Sequence, residues 1–325
     1  MVIDGIEIKG IAWDSQKVLP GYVYIHLKKD GSENEAMEEA IKKGAAMIFI
    51  EVEKELPKSA VPVKRIVDGK KILIELCNKF YHDPLENMKI IGVVGEYGTV
   101  ITGQLIHHLL REEGKEAVMF DTRDFAKAKM PGSGLWLWGE ILASLGDRMG
   151  QDIHYMIINL SLASLQDCSL YGMEFDIIVH TVLAENYGDQ EKMAVNNLLE
   201  NLSAKGIVIF NVDDKGCIGL LESLKNRLVI TYGFCPRATL TASSIDTALA
   251  LHFTCCIQRG ITDRNGLEIE PMEFPVCISN LGKQEVGDVL AAIAVGLVYG
   301  VPAERMMDIF QDIQGLTKKA KYESR

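Results

Sequence analysis

The sequence predicts an α/β fold: a small α/β N-terminal domain, then a doubly wound, mostly parallel and P-loop-like central domain. Three observations carry this. Short apolar runs rich in β-branched residues alternate with helical segments along most of the 325 residues, the pattern of a parallel sheet covered on both faces. The stretch IIGVVGEYGTVIT (90–102) reads as a buried strand, a glycine-punctuated turn and a helix start, the shape of a phosphate-binding loop. The polar segment LENMK (85–89) supplies a boundary between two such regions.

In the first region, GYVYIHL (21–27) has the aromatic and β-branched character of a strand. SENEAMEEAIKKG (32–44) reads as a helix, with Ser32 and Glu35 spaced as a capping box and Gly44 closing it. AMIFIE (46–51) follows as a strand, and KKILIELCNKFYH (70–82) as a helix stopped at Asp83-Pro84. In the second region, TGQLIHHLLREEG (102–114) places Leu105, Ile106, Leu109 and Leu110 on one helical face. Strands are predicted at 117–120, 155–160, 175–181, 206–210 and 228–233, with helices near 136–149 and 190–204. Residues 239–280 read as a β-rich insertion or edge, 285–300 as a strongly apolar helix and 304–313 as one more.

Composition bounds the function classes. Hydrophobic residues make up 48% and charged residues 24%, a globular balance. The formal charge of −11 argues against non-specific nucleic-acid binding and against an anionic membrane surface. No apolar run approaches the roughly 20 residues of a membrane span, and MVIDGIEIKG lacks the basic and apolar regions of a signal peptide, so a cytoplasmic location is expected. Seven cysteines form no CxxC pair and have no histidines at zinc spacing, which predicts buried, reduced thiols. His107 and His108 diverge by about 100° on a helix and cannot share one ion. Trp136 and Trp138 read as an aromatic packing cluster.

Seven fragments, in order, resemble one family, the Mur ligases, and within it the branch that adds the third residue of the peptidoglycan stem peptide. DSQKVLPGYVYIHL (14–27) resembles DSRxVxPGxLFVAL, residues 30–51 resemble DGHxFIxxAIxxGAxAVVxE, and FYHDPLENMKIIGVVG (80–95) resembles FYxxPSxxLxxIGVTG. YGMEFDIIVHT (171–181) resembles GxxFDVAVFTN, IFNVDD (209–214) resembles VxNxDD, and ITYG (230–233) resembles the strand after it. NLGKQEVGDVLAAIAVGLVYGVP (280–302) resembles LPGxFNVxNxLAAIAxxxxxGVP. The resemblance implies a UDP-sugar-binding domain over 1–88, an ATPase-like domain over 89–317 and a linker over 318–325 toward a C-terminal domain that these residues do not include.

The resemblance also implies an ATP- and Mg²⁺-dependent reaction, in which a phosphorylated carboxyl group is attacked by an amine. That chemistry needs backbone N–H groups around phosphate, a lysine on the terminal phosphates and a hydroxyl on the metal. The family loop GTNGKTT aligns with GEYGTVI (95–101): Gly95 and Gly98 remain, Thr99 stands at the lysine and Val100 at the hydroxyl, while Thr102 keeps a hydroxyl one to two residues late. Glu96 adds like charge beside the phosphates. The family's MEVSSHAL becomes INLSLASL (158–165), with Asn159 at the metal-binding glutamate and Ala163 at the histidine; TVLAENYGDQ (181–190) loses the Asp-His pair; and Asn196 aligns with the carbamylated lysine. These coherent losses predict a catalytically degenerate homologue with neither ATP nor Mg²⁺ as cofactor. The vestigial ATP site would comprise Gly95, Gly98, Thr99, Thr102, Asn211 and Asp214, the last two alternatively a cap or loop pair. Asp14 and Ser15 are implied to contact the uridine end of a UDP-sugar-type ligand, or else form a polar turn. A protein partner is the other expected interaction; an ATP-dependent ligase with a divergent loop and a pure interaction module are the alternatives.

Overall fold

The structure, a computed structural model, describes residues 1–27, 33–51, 59–83, 85–123, 134–146, 153–167, 173–183, 188–214, 220, 224, 226–313 and 316. Ser32, Pro84, Cys168, Cys217, the side chains of Trp136 and Trp138, and the linker over 318–325 lie outside them. The chain forms two compact units, one of Met1–Glu86, Ala128–Gln151 and Asp167–Gly172, the other of Asn87–Lys127, Asp152–Gln166 and Met173–Arg325.

The first unit opens with a hairpin of β1 (Val2–Ile3) and β2 (Ile6–Glu7). Asp4 and Gly5 both take positive φ at its tip, the Asp-Gly signature of a tight hairpin turn. A four-stranded parallel sheet follows, in the order β3 (Gly10–Ala12), β4 (Tyr22–His26), β5 (Met47–Ile50), β6 (Val63–Arg65). Helix α1 (Glu33–Lys42) lies between β4 and β5 in sequence, and Met37 and Ala40 on it join Tyr24, Ile48 and Ile50 in one apolar cluster. Helix α2 (Gly69–Phe80) starts where Asp68 accepts the Lys71 amide, an N-cap.

In the second unit a nine-stranded sheet runs β17-β14-β13-β12-β11-β10-β7-β9-β8. Its strands are β7 (Lys89–Val94), β8 (Ala117–Asp121), β9 (Tyr155–Leu160), β10 (Phe175–His180), β11 (Leu202–Asn211), β12 (Leu228–Tyr232), β13 (Leu240–Asp246), β14 (Leu251–Ile257) and β17 (Met272–Ile278); β15 (Ile261–Thr262) and β16 (Glu268–Ile269) make a separate hairpin. From β8 to β13 every pairing is parallel; β13, β14 and β17 close one edge antiparallel, so the β-rich stretch 239–280 is the end of this sheet. The central strands are buried on both faces, as the continuous apolar runs require.

Helix α3 (Thr99–Glu112) follows β7, and α4 (Gly134–Gly146), α5 (Leu162–Asp167) and α6 (Asp189–Glu200) come between later strands. Helix α7 (Val286–Val298) is buried at every position from Val289 to Val298, which explains its all-round apolar sequence. Helix α8 (Ala303–Asp312) packs Met306, Ile309 and Phe310 into the same core.

Three differences from the sequence pattern have local causes. α3 begins three residues before the predicted 102, because Gly98 in the left-handed region ends the loop at once. The helix predicted over 190–204 ends at Glu200, because Leu202 is drawn into register beside Phe175 across a bulge in β11. Helix α4, within the predicted second domain, belongs to the first unit, where Gly139 leaves room for the Trp13 ring and Gly146 for Tyr81.

Candidate functional site

The loop between β7 and α3 lies at the carboxyl end of the central strands, the edge where open α/β sheets place their ligands. Its shape is set by two glycines. Gly95 sits so close to Thr181 that a methyl group there would overlap its hydroxyl, and it would crowd the Val182 backbone. Gly98 takes φ +82° at the helix N-cap, and a methyl group there would overlap the Asp288 carboxylate.

Two backbone amides of the turn already have partners. Glu96 and Tyr97 both donate to the Val182 carbonyl, at 2.8 and 3.2 Å, while Thr181 donates back to Val94 through its amide and its hydroxyl. Glu96 and Tyr97 are exposed; Thr99 is buried. Thr102, one turn into α3, donates its hydroxyl to Asp288 Oδ1 at 3.3 Å. Burial pushes the Asp288 carboxyl well above its ordinary value; the Thr102 hydrogen bond opposes this and the nearby Glu285 carboxylate adds to it. Glu285 is buried and accepts the Gly282 amide at 2.7 Å.

Asn159, at the end of β9, is buried against the other flank of α3, where Gly103 has no side chain to collide with it. Its Nδ2 donates to Asp121 at 3.4 Å, and its Oδ1 is buried with no hydrogen-bond partner among the described residues. Asp121 is itself clamped by two hydrogen bonds from the Arg123 guanidinium. Burial would raise the Asp121 carboxyl, but the Arg123 hydrogen bonds and charge outweigh it and hold the group below its ordinary value. Among the described residues, no group of three or more His, Cys, Asp or Glu side chains could hold a metal ion.

The remaining candidates occupy two other places. Asn211 and Asp214 lie at the end of β11: Asn211 accepts the Asp213 amide at 3.0 Å and Asp214 the Leu183 amide at 2.7 Å. Both carry loop-fixing bonds. Asp14 and Ser15 are in the first unit. Asp14 caps the turn Ser15–Lys17 by accepting the Gln16 amide, and the Ser15 hydroxyl donates to Glu39 on α1. Beside that turn is a cavity of about 330 Å³ whose lining includes Lys9, Trp13, Lys17, Tyr22, Tyr81 and Glu140. The residues that sequence patterns missed are Asp288, Asp121 and Arg123. The first hides inside an apolar helix, and the other two follow a strand end with no motif around them.

One buried pair at this edge has a measurable consequence. His180, stacked on Phe210, has its Nε2 3.8 Å from Asp214. Burial pushes its pKa down to about 4, against the pull of the Asp214 carboxylate. The unfolded chain therefore takes up a proton near the ordinary histidine value while the folded chain stays neutral, so stability falls as pH drops from about 6.5 toward 4. The limiting slope is about 1.4 kcal/mol per pH unit. Urea unfolding across this window should show that loss in the wild type and a flatter profile in His180→Phe.

Over most of the chain's length, its homologues and structural neighbours are Mur ligases. The UDP-N-acetylmuramoyl-L-alanyl-D-glutamate–2,6-diaminopimelate ligase of Listeria innocua is 25% identical over 332 residues, covering 96% of this chain and 64% of the relative. The enzyme of the same name from Caldanaerobacter subterraneus is 24% identical, over 98% of this chain and 64% of the relative. The chain thus spans just under two thirds of the length of these curated relatives. A solved structure of a 2,6-diaminopimelate ligase superposes with TM-score 0.71 at 18% identity, covering 95% of this chain and 63% of that one. The MurF ligase of Thermotoga maritima in complex with ADP gives 0.65 at 14% identity, covering 96% and 67%. No protein-family model matches the chain. Among the described residues, no helix is long and apolar enough to cross a membrane.

Proposed function

We propose that the chain is a Mur ligase-like protein of peptidoglycan precursor synthesis whose second unit has given up ATP and whose first unit keeps a ligand of the UDP-sugar type. The observation that carries this reading is the interior of the loop. Where phosphate would need positive charge, a threonine stands for the lysine, and the Asp288 carboxyl, which supplies none, lies against Gly98 and Thr102. Two of the amides that would meet an anion are bonded to Val182 instead. At the metal position Asn159 offers a neutral oxygen, a weak anchor for Mg²⁺, and Asp121 beside it is neutralised by Arg123. These residues do not fit Mg²⁺-bound ATP.

The first unit supports the ligand part of the proposal. Its cavity combines Lys9 with Trp13, Tyr22 and Tyr81, while Lys17 is paired with Glu140 at 2.6 Å; Lys9 and the aromatic rings suit a molecule that carries both a ring and negative charge. Its volume is at the lower end for small-molecule sites, about 300–1,000 Å³. A protein partner is the other interaction this reading allows.

A second reading, an ATP-dependent amino-acid ligase with a divergent loop, is favoured by homology to diaminopimelate ligases along 96% of the chain. Calorimetry and a phosphate-release assay separate the two. The proposal expects no saturable Mg²⁺-ATP binding up to millimolar nucleotide and no Mg²⁺-dependent hydrolysis, with heat released on adding UDP or a UDP-N-acetylmuramoyl peptide. Hydrolysis that needs Mg²⁺ and disappears in Gly98→Asp would establish the second reading instead. Absence of heat with every UDP ligand would leave a protein partner alone.

A further inference from the structure

Away from the loop, at the antiparallel edge of the large sheet, one cysteine is placed unlike the other described cysteines. Strands β14 and β17 pair so that His252 stands directly opposite Cys277. Directly opposed residues on an antiparallel pair are held as side-chain neighbours by the backbone register itself. Cys277 Sγ lies 3.5 Å from His252 Nε2. His252 is exposed and Cys277 half-exposed, on the face opposite the core residues Phe253, Val276 and Ile278. β17 is the last strand of the sheet, so among the described residues no further strand covers the pair from outside.

We propose that Cys277 and His252 form a thiol–imidazole pair that makes Cys277 the preferred site of covalent modification by soft electrophiles, peroxides and alkylating agents, among the five described cysteines. The thiolate is the nucleophile in such reactions, and an adjacent imidazole promotes it by taking the proton. With an alkyl iodide, the thiol proton moves to Nε2, the carbon–sulfur bond forms and iodide leaves. With hydrogen peroxide, sulfur bonds to one oxygen as the O–O bond breaks. The departing hydroxide takes the proton from the imidazolium, so thiol and peroxide become sulfenic acid and water. On the other side of β14, Asp246 is the register partner of His252, and its carboxylate accepts the Ala248 amide at 3.0 Å. Glu273 is the remaining ionisable side chain of β17.

The other described thiols are placed to react more slowly. Burial raises Cys77 to about 12 and pushes Cys255 up further. Cys256 is raised by burial and by the Glu273 carboxylate, with a hydrogen bond from Ser243 opposing. Cys235 is half-exposed, and no imidazole is hydrogen-bonded to it among the described residues.

The test is competitive labelling of the folded full chain with limiting iodoacetamide, read cysteine by cysteine by peptide mass spectrometry. Cys277 should label several-fold faster than Cys235, and peroxide followed by dimedone should tag Cys277 first. In His252→Gln the Cys277 rate should fall several-fold toward that of Cys235, the Cys235 rate should stay constant, and Cys77 should remain unlabelled as proof of folding. Free imidazole should restore part of the lost rate in His252→Ala. Equal rates at Cys277 and Cys235 in the wild type would overturn the proposal, as would an unchanged Cys277 rate in His252→Gln. Should Cys77 label in the variant, signalling unfolding, the wild-type ratio decides alone.

Discussion

Gly95→Ala is expected to lower the unfolding free energy by roughly 2–5 kcal/mol, combining a backbone conformation that side chains avoid with overpacking. The added methyl would overlap the Thr181 hydroxyl and come within 3.0 Å of the Val182 carbonyl and 3.2 Å of its amide. Backbone is the less yielding neighbour, because Val182 O receives both turn amides and Thr181 is tied to Val94. Urea denaturation should show a lower midpoint with little change in slope. Gly95→Ala/Thr181→Ala should recover only the part due to the hydroxyl, leaving the backbone part in place. Full recovery would mean that the loop is shaped by one side chain rather than by the path of the chain.

Phe175→Ala is expected to cost about 3–5 kcal/mol, the range for emptying an aromatic site in a core. Phe175 is fully buried at the start of β10, and its ring lies over Gly92 of β7, so near that a methyl on Gly92 would stand 2.9 Å from it. Gly92→Ala alone should therefore destabilise by about 1–3 kcal/mol through overpacking. In the Phe175→Ala background the same methyl would enter vacated space and cost much less. Equilibrium unfolding of the four proteins measures this coupling; strict additivity would show that ring and glycine do not share a space.

Much of the fold was legible because long elements repeat their signal. The helix over 286–298 is apolar all round from Val289 onward, and the strands carry apolar runs at 177–179 and 207–210, as central parallel strands must. The strands Gly10–Ala12 and Val63–Arg65 left no such trace, since three residues cannot show a period. The hairpin at Asp4-Gly5 rests on a dipeptide signal that the sequence reading did not use. At the candidate site, Thr99, Val100 and Asn159 are singled out by comparison with a family motif, whereas Asp288 is not. Its meaning depends on α7 lying against α3, a pairing across 186 residues that no local pattern encodes. The bonds of Asp14, Ser15, Asn211 and Asp214 were equally hidden, because turn-forming residues look alike whether they hold a loop or a ligand.

The passage of the chain between the two units has a consequence for how such a protein can change over time. Helix α4 is encoded between two strands of the large sheet, yet it lies with the first unit and fits its glycines against Trp13 and Tyr81. A gene fragment ending at codon 86 would thus encode the four small strands and their two helices without the element that packs on those rings. The first unit is not a cassette that recombination can lift out in one piece. It is inherited together with the large sheet, and because its three segments interleave with those of the second unit, exchange with another protein would require several simultaneous joins.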